Sequence, residues 1–186
     1  MPDKYKGKYR TTSLRLQTWD YGWNGAYFIT ICTERMQHFF GEIENGKMHL
    51  SPLGALADVL WHEIKSHSKN VELDEFVVMP NHIHGILILK APHTGDENAQ
   101  KQTRHALSLD GTPGQKRFQD QGKNTISSIV GGYKSAVTKH ANRLGYKFKW
   151  QKLFWDVIIR NDRSYQNIKN YIIKNPENWK GDRFSK

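Results

Sequence analysis

The stretch Glu75–Leu89, EFVVMPNHIHGILIL, decides how this chain is read. An apolar run enters a turn at Met79-Pro80-Asn81, leaves as His82-Ile83-His84 and continues apolar to Leu89. Short apolar runs rich in β-branched residues and broken by a Pro-Asn turn read as adjoining strands. On a strand, residues two apart share a face. His82 and His84 therefore project together, and Ile83 points the other way as an anchor. Paired neutral imidazoles suit Zn, Mn, Co or Ni, and magnesium less naturally. Two ligands do not complete a site, so a third must come from elsewhere in the chain. The competing reading is a pair of satisfied structural histidines in a core strand.

The flanking sequence supplies the rest of a sheet. AYFITICT (Ala26–Thr33) reads as a core strand. Asn45-Gly46 between short β-like flanks predicts a hairpin. Ser51 as cap and Pro52 in the first turn open a helix, with Leu53, Leu56, Val59, Leu60 and Ile64 at helical spacing. His62 and His67 fall on its polar pattern and read as surface. Ala91–Lys123 loses all periodicity and reads as a loop over the site. Helical spacing returns with Ile126, Ile129, Val130, Tyr133, Ala136, Val137 and His140 on one stripe, closed by Gly145. Gly131-Gly132 inside it costs about 1 kcal/mol each relative to Ala, which points to a kink, a hinge or close approach of another backbone. FKWQKLFWDVIIRN reads as an aromatic-rich strand, and a helix from Ser164 stops before Pro176. Irregular alternation of strands and helices, with hairpins, places the chain in the α+β class with a largely antiparallel sheet.

Composition bounds the partners. The 186 residues suit a single domain over 1–186, with a basic arm at about 1–20. Lys+Arg is 28 against 18 Asp+Glu, a formal net charge of +10, which favours a polyanion. Aromatic residues at 12%, six of them Trp, suit stacking on unpaired bases, although most belong to a core. Cys32 stands alone, which excludes a disulfide framework and favours a reducing compartment. The basic N-terminal stretch lacks the apolar segment of a signal peptide, and no apolar run reaches transmembrane length. A cytoplasmic protein with no membrane partner is expected.

FVVMPNHIHGILIL resembles the metal-binding motif of the single-tyrosine HUH transposases, including the REP-associated tyrosine transposases. YFITICT, SIVGGYKSAVTKHAN and WQKLFWDVIIRN…SYQNIKNYIIKNPENW are also similar to that family, so the resemblance runs from about Arg10 to Trp179. It implies a ferredoxin-like α+β domain with a central antiparallel sheet and helices packed on it. It implies a divalent cation, Mg²⁺ or Mn²⁺, held by His82 and His84, and single-stranded hairpin DNA as substrate. It also implies a homodimer, and a tyrosine that attacks the scissile phosphate to leave a 5′-phosphotyrosine and a free 3′-OH. By motif position that tyrosine is Tyr133. The family's third ligand, a polar residue one helical turn after the tyrosine, falls on Val137, which cannot bind metal. His140 lies two turns on from Tyr133, about 10 Å along the axis, and is the substitute ligand offered by this helix.

Arg10, Arg15, Lys134, Lys149, Lys152, Arg160 and Arg163 are candidates for phosphate contact, each weighed against an ordinary solvated charge. Trp150, Phe154 and Trp155 are candidates for base stacking, at least one of which strand alternation will bury. The expected activity is metal-dependent nicking and rejoining of hairpin-bearing single-stranded DNA. Val137 motivates the alternative, a non-cleaving DNA or RNA hairpin-binding relative. An unrelated metal hydrolase ranks last, because the chain carries no cysteine cluster and no HExxH.

Overall fold

In the computed structural model, residues 24–90, 125–181 and 184–185 are described. Arg10, Arg15, the basic arm and the aperiodic 91–123 segment lie outside them. The elements are β1 (Gly25–Cys32), β2 (Gly41–Glu44), β3 (Lys47–Leu50), α1 (Pro52–His62), α2 (Ile64–His67), β4 (Val71–Val78), β5 (His82–Leu89), α3 (Ile126–Arg143), β6 (Trp155–Ile159) and α4 (Asp162–Lys174). The main sheet has the order β4-β5-β1-β6, and each neighbouring pair is antiparallel. Leaving aside the β2–β3 hairpin and the short α2, the chain runs strand, helix, two strands, helix, strand, with α4 following the last strand. That is the ferredoxin-like arrangement the resemblance implied.

Local chemistry explains each element. The Ser51 hydroxyl accepts from the Gly54 N–H and starts α1 behind Pro52. Asn45 and Gly46 both take positive φ, 51° and 74°, as a tight two-residue hairpin turn requires. Thr125 and Ser128 form a reciprocal capping box at the start of α3. Gly131 and Gly132 face outward from an unbroken α3, and a Cβ at either would meet no described atom within 4 Å. They mark neither a kink nor a contact among the described residues. The aromatic-rich segment is strand only over Trp155–Ile159; upstream it is irregular, tied to the sheet by a bridge between Trp150 and Thr33.

The sheet has two unlike faces. On one, Tyr27, Ile29 and Ile31 of β1 and Ile83, Leu87 and Leu89 of β5 pack against Leu53, Ala57 and Trp61 of α1. Ile126, Ile129, Val130, Tyr133, Val137 and Ala141 of α3 complete that core. Gly85 is required there. A Cβ on it would sit 2.3 Å from the Trp61 ring, which stacks on Phe76. The other face carries the alternate residues, among them Phe28, Thr30, His82 and His84, and α4 lies over it.

Candidate functional site

His82 and His84 open β5 on the face under α4, with ring centroids 4.4 Å apart and exposures of 0% and 1%. The period-2 expectation of a shared face holds. Each ring is fixed from behind through Nδ1. The Asn81 amide donates from Nδ2 to the carbonyls of Met36 and Phe184, so its Oδ1 is the acceptor facing His82 Nδ1 at 2.8 Å. That contact places the hydrogen on Nδ1 of His82. Thr30, paired with His84 across the β1–β5 ladder, meets His84 Nδ1 at 2.8 Å. Partners at Nδ1 orient a histidine ring, so Nε2 of each ring is the nitrogen that would meet a metal. Pro80-Asn81 is thus more than a turn: Asn81 is a buried positioning residue, and its place directly before His82 was its only sequence signal.

The side chain that meets the pair is Tyr171, on α4. Its hydroxyl lies 3.2 Å from His84 Nε2, its ring sits edge-on to Phe28, and it is 41% exposed. Asn175 follows Tyr171 by one helical turn, at the C-cap of α4, and is buried at 1%. One turn further, Trp179 stacks near His82 with centroids 6.0 Å apart. Phe184 closes the site from above, 4.5 Å from the His82 ring and 5.7 Å from the His84 ring.

The structure does not bring Tyr133, the expected nucleophile, to this site. That tyrosine lies on the opposite side of the sheet, 3% exposed, with its ring edge-on to Trp61. Its hydroxyl donates to the Ala57 carbonyl at 2.8 Å. Burial, with the Asp58 carboxylate adding to it, pushes the phenol well above its ordinary value, so a phenolate there is strongly disfavoured. His140 and Val137 share α3 with Tyr133, on the opposite side of the sheet from the pair, and Val137 is core. The apolar stripe that carries Tyr133 is the core stripe.

The basic residues separate. Burial lowers the Lys134 ammonium, which donates to the carbonyls of Gln151 and Lys152. It lines an open groove of about 650 Å³ with Lys139, Lys152, Trp150 and Gln151, away from the histidines. Lys149, Lys152, Arg160 and Arg163 are exposed. Trp150 and Phe154 pack against the core, whereas Trp155 is 37% exposed near Phe184. His62 and His67 are exposed, as expected.

Among the described residues no group of three or more His, Cys, Asp or Glu side chains is placed to hold a metal. A cation here would rest on two imidazoles and neutral oxygens, a donor set that fits Mn²⁺ better than Mg²⁺. Likewise, no described helix is long and apolar enough to cross a membrane.

No family model matches the chain. An uncharacterised protein of Haemophilus influenzae is 37% identical over 98% of this chain and 97% of its own length. A solved structure of a REP-associated tyrosine transposase bound to a REP hairpin aligns with a TM-score of 0.52 at 20% identity, covering 92% of this chain and 73% of that one. The fold is therefore transposase-like.

Proposed function

We propose, for a chain that belongs to one family with the Haemophilus influenzae protein and has the fold of a REP-associated tyrosine transposase, that it nicks and rejoins hairpin-bearing single-stranded DNA with Tyr171 as nucleophile. The observation that carries this reading is the Tyr171 hydroxyl 3.2 Å from His84 Nε2, on the one face where both histidines converge. A half-exposed tyrosine beside a histidine pair has the reach for an incoming phosphate that a core tyrosine lacks.

In this reading Nε2 of His82 and of His84 hold a divalent cation, Mn²⁺ or Mg²⁺, with the Asn175 side chain as third ligand. The bound cation would supply charge stabilisation at the scissile phosphate. The neighbouring residues do the rest. Asn81 holds the His82 ring with its hydrogen on Nδ1, and Thr30 holds the orientation of the His84 ring. The Tyr171 oxygen forms its bond to phosphorus as the bond to the 3′ oxygen breaks. The phenol loses its proton, the departing 3′ oxygen gains one, and the reverse reaction at a new end rejoins the strand. Tyr171 and His84 belong to one chain, so the geometry supports attack within a subunit; a homodimer is not needed for it. Lys149, Lys152, Arg160 and the groove of Lys134 and Lys139 would neutralise phosphates away from the reacting centre.

The test is to incubate the protein with hairpin-bearing single-stranded DNA and Mn²⁺. A covalent adduct that survives Tyr133→Phe and is lost in Tyr171→Phe supports the reading. Adduct formed equally by Tyr171→Phe rejects it. One observation favours a second reading, a hairpin-binding protein that does not cleave: both histidines are buried beneath Phe184. Tight, salt-dependent hairpin binding with no adduct in any metal would establish that alternative.

A further inference from the structure

The helix that carries Tyr171 has little apolar hold on the sheet. Ile172 is the fully buried residue of α4, while Ile173 is 55% exposed and Tyr171 41%. One fully buried side chain, with Ile168 half-buried beside it, seats the helix but constrains its rotation weakly. A polar cluster on Tyr165 and Lys169, which precede Tyr171 on α4, supplies what is missing. The Asp74 carboxylate accepts from the Tyr165 hydroxyl and, at 2.9 Å, from Lys169 Nζ. Glu75 lies 3.5 Å from the same Lys169 Nζ.

That geometry depends on an irregularity in β4. Consecutive strand residues point to opposite faces, so Asp74 and Glu75 should not both reach one lysine. Between Leu73↔Leu87 and Phe76↔Gly85 the register slips by one residue. Leu73 and Phe76, three apart, both return to the core face, against the main cluster. The extra residue is the signature of a β-bulge, a device that re-aims side chains. Here it turns two neighbouring carboxylates toward α4.

Resting on the reading of Tyr171 as nucleophile, we propose that Asp74, with Tyr165 and Lys169, is a positioning device that fixes the rotation of α4 and so holds the Tyr171 hydroxyl at His84. Tyr165 and Lys169 are one turn apart on α4, on a different side of the helix from Tyr171. Two anchors on one face and a tyrosine on another are what rotational control requires. The lever is long. A tyrosine hydroxyl stands about 9 Å from its helix axis, so a roll of about 10° moves it by about 1.5 Å. A displacement near 1 Å at reacting atoms can cost about 100-fold in rate. The bond network also holds the Asp74 carboxyl below its ordinary value despite burial, consistent with a charge engaged in the folded state.

The experiment uses the full chain with hairpin-bearing single-stranded DNA and Mn²⁺, comparing wild type with Asp74→Asn, Lys169→Met and the exchanged pair Asp74→Lys/Lys169→Asp. Single-turnover adduct formation at saturating DNA is expected to slow by about 10- to 100-fold in each single variant, with DNA affinity within about twofold of wild type. The exchanged pair should recover a large part of the loss. A second readout needs no cleavage: 3-fluorotyrosine placed at 171 should show a displaced ¹⁹F resonance in Asp74→Asn and Lys169→Met, moved back in the exchanged pair. If both single variants keep the wild-type rate and resonance, the proposal is overturned. So is it if they lose thermal stability alone. If Tyr171→Phe still forms adduct, the nucleophile assignment fails instead, and the ¹⁹F comparison decides the clamp by itself.

Discussion

Two tyrosines compete for the role of nucleophile, and replacing each by phenylalanine separates them. Tyr133→Phe deletes a buried hydroxyl whose work is a 2.8 Å bond to the Ala57 carbonyl. Ala57 lies inside α1, so its carbonyl also takes a helical N–H and is not stranded by the change. The loss is then that of an ordinary hydrogen bond, about 1 kcal/mol. For a chain of this length that lowers the melting temperature by about 2–4 °C. The ring keeps its edge-on contact with Trp61, so packing is preserved. Tyr171→Phe should do the reverse. Tyr171 is 41% exposed and its hydroxyl meets His84 Nε2 at 3.2 Å, so its loss should cost no more than an ordinary hydrogen bond, about 1 kcal/mol, yet adduct formation should vanish. Melting by calorimetry and adduct formation on denaturing gels, with Mn²⁺ and a hairpin substrate, measure both effects on the same preparations. Loss of adduct in Tyr133→Phe at unchanged folded fraction would refute the placement of the nucleophile on α4.

Gly85→Ala should destabilise by about 1–3 kcal/mol through overpacking against Trp61, read as a lower urea midpoint at unchanged slope. The Asp74 carboxyl is raised by burial but lowered more by Tyr165 and Lys169, for a net value below the ordinary 3.8. Its contribution is therefore present above that value and lost as the pH falls below it, so the stability gap between wild type and Asp74→Asn should close in acid. The partner phenol of Tyr165, raised first by burial and then by Asp74, sits at about 12 against an ordinary 10.0. Its contribution holds below pH 10 and fades as the pH climbs toward 12, so Tyr165→Phe should narrow the alkaline loss of stability. Phe184→Ala uncovers both histidine rings, and Mn²⁺ titration by calorimetry should show tighter binding than in wild type. Weaker or equal binding would remove Phe184 from any role in closing the site. Chelation of divalent metal should abolish adduct while leaving hairpin binding in place.

Much of the fold was legible because local rules determined it. Asn45-Gly46 demanded positive φ, Ser51-Pro52 capped a helix, and the alternation through His82-Ile83-His84 assigned one face to the core and one to chemistry. These are short-range constraints, and the structure obeys them. The β-bulge at Asp74-Glu75 was not legible. It appears only when β4 must keep Leu73 and Phe76 on the core face against β5, a tertiary demand that adjacent acidic residues alone do not reveal. The strand expected over residues 148–161 is similarly shortened, because Phe148 and Trp150 are claimed by the aromatic cluster around Phe39 and Phe40 rather than by the ladder.

Tyr133 sits away from the histidines for a physical reason. A tyrosine on a strong apolar stripe is there because the stripe is buried, and burial is the condition a nucleophile facing DNA must avoid. Tyr133 met the first criterion and therefore failed the second. The discriminating signal lies in the sequence, in the residue one turn downstream. A tyrosine whose neighbour at that spacing is Val137 has an apolar partner suited to a core, whereas Tyr171 is followed at the same spacing by Asn175 and then Pro176. The absence of a ligand after Tyr133 counts against that tyrosine, not against the chemistry. Sheet alternation leads to the same placement independently. Ile83 faces the core that α3 covers, so His82 and His84 face away from it, and on the proposed reading a tyrosine acting with them comes from a helix on the other side. In the described chain that helix is α4, and its scant burial follows from the same requirement. On the proposed reading, a helix that presents a tyrosine to a strand of DNA cannot also be sealed against the sheet by apolar contact, and polar anchors such as Asp74, Tyr165 and Lys169 can hold it without closing it.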